Sequence, residues 1–141
     1  MSKKMKFKKL HKLAKEPLRA NKTDAGMDLY ATSISIRGDI VTYGTGIAVE
    51  IPEGCFGLLT NRSSVYKKDL QINTGIIDSG YRGEILVKFR RTSSNSYGGN
   101  IYDMGERIAQ LIIIPYLNVE LEEGELDSSV RGNKGFGSSG K

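Results

Sequence analysis

The chain has 141 residues, 38% hydrophobic and 26% charged, with a formal net charge of +5. This suits one soluble domain with a single core. No apolar run approaches the roughly 18 residues of a membrane span, and the N-terminus carries no signal-peptide apolar region. The single cysteine, Cys55, excludes an internal disulfide framework, so a soluble, cytoplasmic protein is expected.

The first segment holds Lys3, Lys4, Lys6, Lys8, Lys9, Lys12, Lys15, Arg19 and Lys22 against Glu16 alone. A solvated strand face is favoured over a nucleic-acid arm, because no aromatic stacking pattern accompanies the cations. Met5-Lys6-Phe7-Lys8 alternates and predicts an opening strand bounded downstream by Pro17. Further strands are predicted at Ile34–Ile36, Ile47–Ile51, Ile85–Phe89 and Leu117–Leu121, where apolar and polar residues alternate. Arg37-Gly38-Asp39, Pro52-Glu53-Gly54 and Tyr97-Gly98-Gly99-Asn100 read as turns. The run Leu111–Pro115 reads as a strand buried on both faces. One short helix over Val65–Asp69 is predicted, capped by Ser63 or Ser64. No long helical period appears, so the fold class is all-β. A distorted jelly-roll barrel or sandwich with one short helix is expected, with residues 1–127 as the core. Residues 128–141 read as a flexible Gly/Ser-rich lid of the same domain, where Phe136, Arg131 and Lys134 stand among glycines and serines. An aromatic and cations there suit closure over an anionic, ring-bearing ligand.

In Thr74–Phe89, Asp78 follows a short apolar run and precedes a Gly-containing turn and Tyr81. The carboxylate either caps that turn or is aimed for chemistry by the flanking sheet. The lone His11 lies in the basic segment and is expected to be inert.

Ordered along the chain are Ala25–Tyr30; Asn61-Arg62-Ser63-Ser64; Gly75-Ile76-Ile77-Asp78 with Tyr81-Arg82-Gly83; Gly105–Leu111; and Arg131-Gly132 with Gly135–Gly140. In this order and spacing they resemble the five motifs of the homotrimeric dUTPase (dUTP pyrophosphatase) family, over about Met5 to Gly140. The resemblance implies hydrolysis of dUTP to dUMP and pyrophosphate, which keeps uracil out of DNA and supplies dUMP for thymidylate synthesis. It implies that Asp78 activates the water that attacks the α-phosphorus, with Asp28 and Gln110 completing the catalytic set. Arg62, Ser63, Ser64 and Arg131 would hold the phosphates. Gly75, Ile76 and Ile77, in a hairpin opening at Asn73, would read the uracil edge, and Asn73 would add a polar contact. Tyr81 would gate the sugar, and Phe136, Gly137 and Ser138 would close over the base. Mg2+ would ride mainly on substrate phosphates, approached through water by Asp28, whose other reading is a turn cap after Gly26. Each site would be built from three subunits of a homotrimer; no membrane or specific nucleic-acid partner is implied.

Some positions depart from the family pattern. Gly80 stands where a second Asp is frequent, Met27 where an aromatic is frequent, Asn61 for Pro, Ser139 for Thr and Lys134 for Gly. Ile77–Tyr81 also resembles the turn of the related dCTP deaminases, but Lys88 occupies the position of their catalytic Glu. A non-catalytic nucleotide sensor on the same fold is the other alternative.

Overall fold

The computed structural model describes residues 3–73, 75–92 and 99–137. Among these residues ten strands form: β1 (Lys6–Lys9), β2 (Gly26–Tyr30), β3 (Ser33–Arg37), β4 (Ile40–Gly44), β5 (Ile47–Glu50), β6 (Cys55–Thr60), β7 (Leu70–Ile72), β8 (Gly75–Ile77), β9 (Leu86–Arg91) and β10 (Arg107–Pro115). They make two four-stranded sheets, ordered β2-β10-β6-β8 and β3-β4-β9-β7, and a β1-β5 pair. Every strand pairing is antiparallel. The result is an all-β, jelly-roll-like sandwich, not a closed barrel.

Period-two burial shows how residues select faces. In β6 every other residue, Cys55, Gly57 and Leu59, is buried, and in β9 Val87 and Phe89 point inward while Leu86 and Lys88 face water. Gly57 sits in a tight spot: a Cβ there would lie 2.9 Å from the Cδ1 atoms of both Ile51 and Leu111, so those side chains would have to shift. Tyr43, Phe89 and Tyr102 meet edge-on or tilted, with ring centroids 5.7–6.2 Å apart, in the middle of the core.

Several sequence expectations need correction. Leu117–Leu121 alternates but forms no strand; Leu117, Val119 and Leu121 are exposed because the chain offers them no facing strand. In β10 only Ile108, Ala109 and Leu111 are fully buried, whereas Ile112, Ile113 and Ile114 are half-buried. The predicted helix is a single 3-10 turn, Ser63–Lys67, capped by neither serine: Arg62 stands at the N-cap with no side-chain cap bond. The stretch Asn73 to Ile77 is not a paired hairpin among the described residues, since β7 pairs with β9 and β8 with β6. Tyr97 and Gly98 of one predicted turn lie outside the described residues.

Candidate active site

Most of the expected site residues gather around two clefts, while Asn73, Arg131 and Phe136 line neither. The first forms where β8 ends. The Tyr81 N–H donates to the Asp78 carbonyl at 3.1 Å, closing a tight turn whose backbone, not the Asp78 side chain, makes the closing bond. The Asp78 carboxylate is exposed and has no hydrogen-bond partner among the described residues, so the capping reading lacks its bond. Two features brace the turn. Arg82 Nη1 donates to the Ser79 carbonyl at 2.6 Å and the Tyr81 carbonyl at 3.3 Å, while Nη2 pairs with Glu50 at 3.2 Å. The Tyr81 hydroxyl donates to the Glu84 carbonyl at 2.8 Å, its ring lying over Gly83 where a Cβ would come 2.7 Å from Cζ. Asp78, Tyr81, Gly75, Ile76 and Ile77 share a cavity of about 260 Å³ floored by Leu59, Ile85 and Leu86. Among the described residues β8 pairs only with β6, which makes it an edge strand, and its residues Gly75, Ile76 and Ile77 line that space. Asn73 does not line the cavity; its N–H donates to the Lys88 carbonyl.

The second cleft is built by β2, β10 and the 3-10 turn. Asp28 lies opposite Gln110 in the β2–β10 register, so both side chains leave on one face. A register shift between Arg107 and Ala109 brings Arg107 opposite Tyr30 and onto that same face. Arg62 Nε donates to Asp28 Oδ1 at 3.2 Å, and Arg107 Nη1 to Asp28 Oδ2 at 3.4 Å. One carboxylate thus anchors two guanidiniums, with both its oxygens engaged. Gln110 Nε2 donates to the Asn61 carbonyl at 2.9 Å. Gly26 makes room for it, because a Cβ there would lie within 2.9 Å of Gln110 Cδ. Arg62, Ser64, Lys67, Lys68, Tyr102 and Arg107 line a cavity of about 530 Å³. Ser63 is exposed beside it, and Ser64 half-buried.

The two cavities share no lining residue. Arg131 and Phe136 line neither: Arg131 Nε donates to the Lys134 carbonyl, and Phe136 is fully exposed at φ 53°, a left-handed conformation costly for a side-chain-bearing residue. Gly137, at φ 84°, follows in a conformation suited to glycine. Ser138, Ser139 and Gly140 lie outside the described residues. Arg107, Arg82, Lys68 and Glu84 were not singled out from sequence. Arg82 and Arg107 stand inside the motifs without a role of their own, and nothing local marks Lys68 or Glu84.

A dUTPase family model matches residues 12–140. The chain belongs to the dUTPase family. A Corynebacterium glutamicum deoxyuridine 5'-triphosphate nucleotidohydrolase is 41% identical over 142 residues, covering 94% of each chain. Its namesake from Clostridium tetani is 38% identical over 143 residues, covering 97% of each. Among solved structures, the dUTPase of Staphylococcus bacteriophage 80alpha with dUPNHPP has a TM-score of 0.85 and 36% identity, over 99% of this chain and 100% of that one. The dUTPase of phage phi11 of S. aureus, whose structure details the coordination of a structural Mg(II) ion, has a TM-score of 0.76 and 31% identity, over 88% and 98%.

Among the described residues no group of three or more His, Cys, Asp or Glu side chains could enclose a metal ion, and no helix is long and apolar enough to cross a membrane. The dCTP-deaminase position, Lys88, is an exposed lysine on β9. The nearest carboxylate to that strand's start, Glu84, accepts the Gly46 N–H at 2.9 Å.

Proposed function

We infer that the chain hydrolyses dUTP to dUMP and pyrophosphate. The observation that carries this is the first cleft. In a chain of the dUTPase family, an unengaged carboxylate, Asp78, stands beside an edge strand and an aromatic ring. Asp78 takes the proton of a water and directs it at the α-phosphorus; the bond to pyrophosphate breaks, and pyrophosphate leaves with the electron pair. The outer backbone groups of Gly75, Ile76 and Ile77 pair with the uracil edge, and an amino group in place of the 4-oxygen leaves one of them unpaired. Tyr81, held by Glu84 and Gly83, packs on the sugar where a 2′-hydroxyl would clash. Asn73 is a polar neighbour of that strand, not a lining residue.

The triphosphate brings about four negative charges, and the second cleft offers the cations. Arg62 presents its fork to phosphate oxygens, Ser63 and Ser64 their hydroxyls and N–H groups, and Gln110 a neutral amide donor. Asp28 keeps Arg62 and Arg107 in place. Its sequence-based role, a water-mediated approach to metal, competes with those ion pairs. Mg2+, bound on the triphosphate oxygens, would neutralise developing charge. A protein with no three-carboxylate cluster among its described residues fits a metal that arrives with substrate.

Two separate clefts in one chain fit sites completed between subunits of a homotrimer. The arm supports this. Leu117, Val119, Leu121, Leu126 and Val130 are exposed, each forgoing about 2 kcal/mol of burial that a neighbouring subunit would restore. Residues 128–141 then act as the lid, bringing Arg131 to the phosphates and Phe136, Gly137 and Ser138 over the base. Buried, unpaired Cys55 suits a reducing cytoplasm.

The test is incubation with dUTP, dCTP, dTTP and UTP plus Mg2+, following pyrophosphate and ammonia. Pyrophosphate from dUTP alone is expected. Ammonia from dCTP would indicate a deaminase, and no product from any would indicate a sensor.

A further inference from the structure

A buried polar group that the proposed chemistry does not use lies beneath the Ser63–Lys67 turn. Tyr102 is 3% exposed. Its ring is wedged edge-on against Tyr43 at 6.2 Å and tilted against Phe89 at 5.8 Å, with the Lys68 ammonium 4.9 Å from its centroid. Its backbone carbonyl accepts the Tyr43 hydroxyl at 2.8 Å. Its own hydroxyl is buried and closes no hydrogen bond among the described residues. Folded proteins rarely leave such a group unpaired, and phenylalanine would fill nearly the same space without the problem.

Three polar groups act on this hydroxyl: Ser64, which comes near enough to share a hydrogen bond although the geometry is not closed, the Arg62 guanidinium and the Glu106 carboxylate. All three line the 530 Å³ cavity that Tyr102 also lines, together with Lys67, Lys68 and Arg107. Ser64 is the half-buried serine of the pair and shares the cavity lining with Tyr102, whereas Ser63 is exposed and does not. Burial pushes the Tyr102 phenol above its ordinary pKa, so it keeps its proton and remains a donor.

We propose that Tyr102 is a positioning residue of the phosphate cradle: its hydroxyl donates to Ser64 Oγ and aims the Ser64 proton at a phosphate oxygen. A serine hydroxyl is a free rotor with one donor and two acceptor sites. Filling an acceptor site from below leaves the donor for the anion above. An anion held by Ser64 then fixes the rotor and, with it, this bond. This rests on the reading of Arg62–Ser64 as the phosphate site.

The experiment compares Tyr102→Phe, Ser64→Ala and the double variant. It measures thermal stability, kcat and KM for dUTP, and inhibition by deoxyuridine, which has no phosphate. Tyr102→Phe should keep or raise the melting temperature and raise KM for dUTP about five-fold, the size of one neutral hydrogen bond. Deoxyuridine inhibition should not change. The double variant should be no worse than Ser64→Ala alone, because both changes break one chain of bonds. An unchanged KM in Tyr102→Phe, with Ser64→Ala impaired, would overturn the proposal and leave the cradle standing. An unimpaired Ser64→Ala would remove the cradle and the proposal together. A Tyr102→Phe protein that fails to fold or loses stability would make the hydroxyl a core requirement and overturn the proposal.

Discussion

Asp28→Asn separates the two roles open to this residue. The substitution keeps the shape of the side chain and removes the charge that both guanidiniums face. The Arg62 pair, 3.2 Å long with side-chain exposures of 27% and 15%, is partly shielded; the Arg107 pair, 3.4 Å long with 42% exposure on the arginine, is close to a surface pair. A shielded pair of this kind contributes about 1 kcal/mol and a surface pair about 0.5 kcal/mol. The sum, about 1.5 kcal/mol, corresponds to a fall in melting temperature of roughly 4–6 °C for a domain of this size. With its anchor weakened, Arg62 should hold phosphate less well, raising KM for dUTP about ten-fold with a smaller change in kcat. The assay is steady-state kinetics at several Mg2+ concentrations beside a thermal melt. If Asp28 is the guanidinium anchor, the Mg2+ concentration giving half-maximal rate stays where it was. An unchanged melting temperature and KM with a several-fold higher Mg2+ requirement would refute this reasoning and assign Asp28 to the metal.

Other predictions follow from single contacts. Gly83→Ala places a methyl 2.5 Å from the Tyr81 hydroxyl and 2.7 Å from Cζ, so the ring must swing and release Glu84. Discrimination of dUTP against UTP should fall about ten-fold while the protein still folds; unchanged discrimination would remove Tyr81 as the sugar gate. Tyr43 is fully buried and donates to the Tyr102 carbonyl, and burial raises its pKa to about 12. The unfolded chain releases this proton near its ordinary value of about 10 while the folded chain holds it. The stability is therefore complete below about pH 10 and lost as pH rises toward 12. Melting temperatures in that window should fall more steeply for the native chain than for Tyr43→Phe, and parallel curves would contradict this.

Sequence and structure agree where a signal is local. Alternation in the sequence marked β1, β3, β5 and β9, although only β9 turns it into alternate burial, β1 and β3 being exposed throughout and β5 buried at Ile47, Ala48 and Val49. It did not mark β2, which opens with Gly26 and Met27, where Gly26 answers to the Gln110 side chain across the sheet. Leu117–Leu121 has the strand pattern without a strand, since pairing needs a partner that none of the described residues supplies. The turn proposed to carry the chemistry was legible because Ile77-Asp78 and Tyr81-Arg82-Gly83 lie within one short stretch of chain. The Asp28–Arg62–Arg107 cluster was not, because its members stand 34 and 79 positions from Asp28 and meet only through the β2–β10 register and the bulge that turns Arg107. The unpaired Tyr102 hydroxyl is likewise a product of packing that no motif encodes.

The most direct test of the central claim is Asp78→Asn. The side chain is exposed and braces nothing among the described residues, so the variant should fold, melt within about 1 °C of the native chain, and bind dUTP with nearly native affinity. Its single-turnover rate of pyrophosphate release should drop about 10²- to 10⁴-fold, the contribution of a positioned general base. Tight binding with almost no turnover is the predicted result; near-native turnover would show that the water is activated elsewhere.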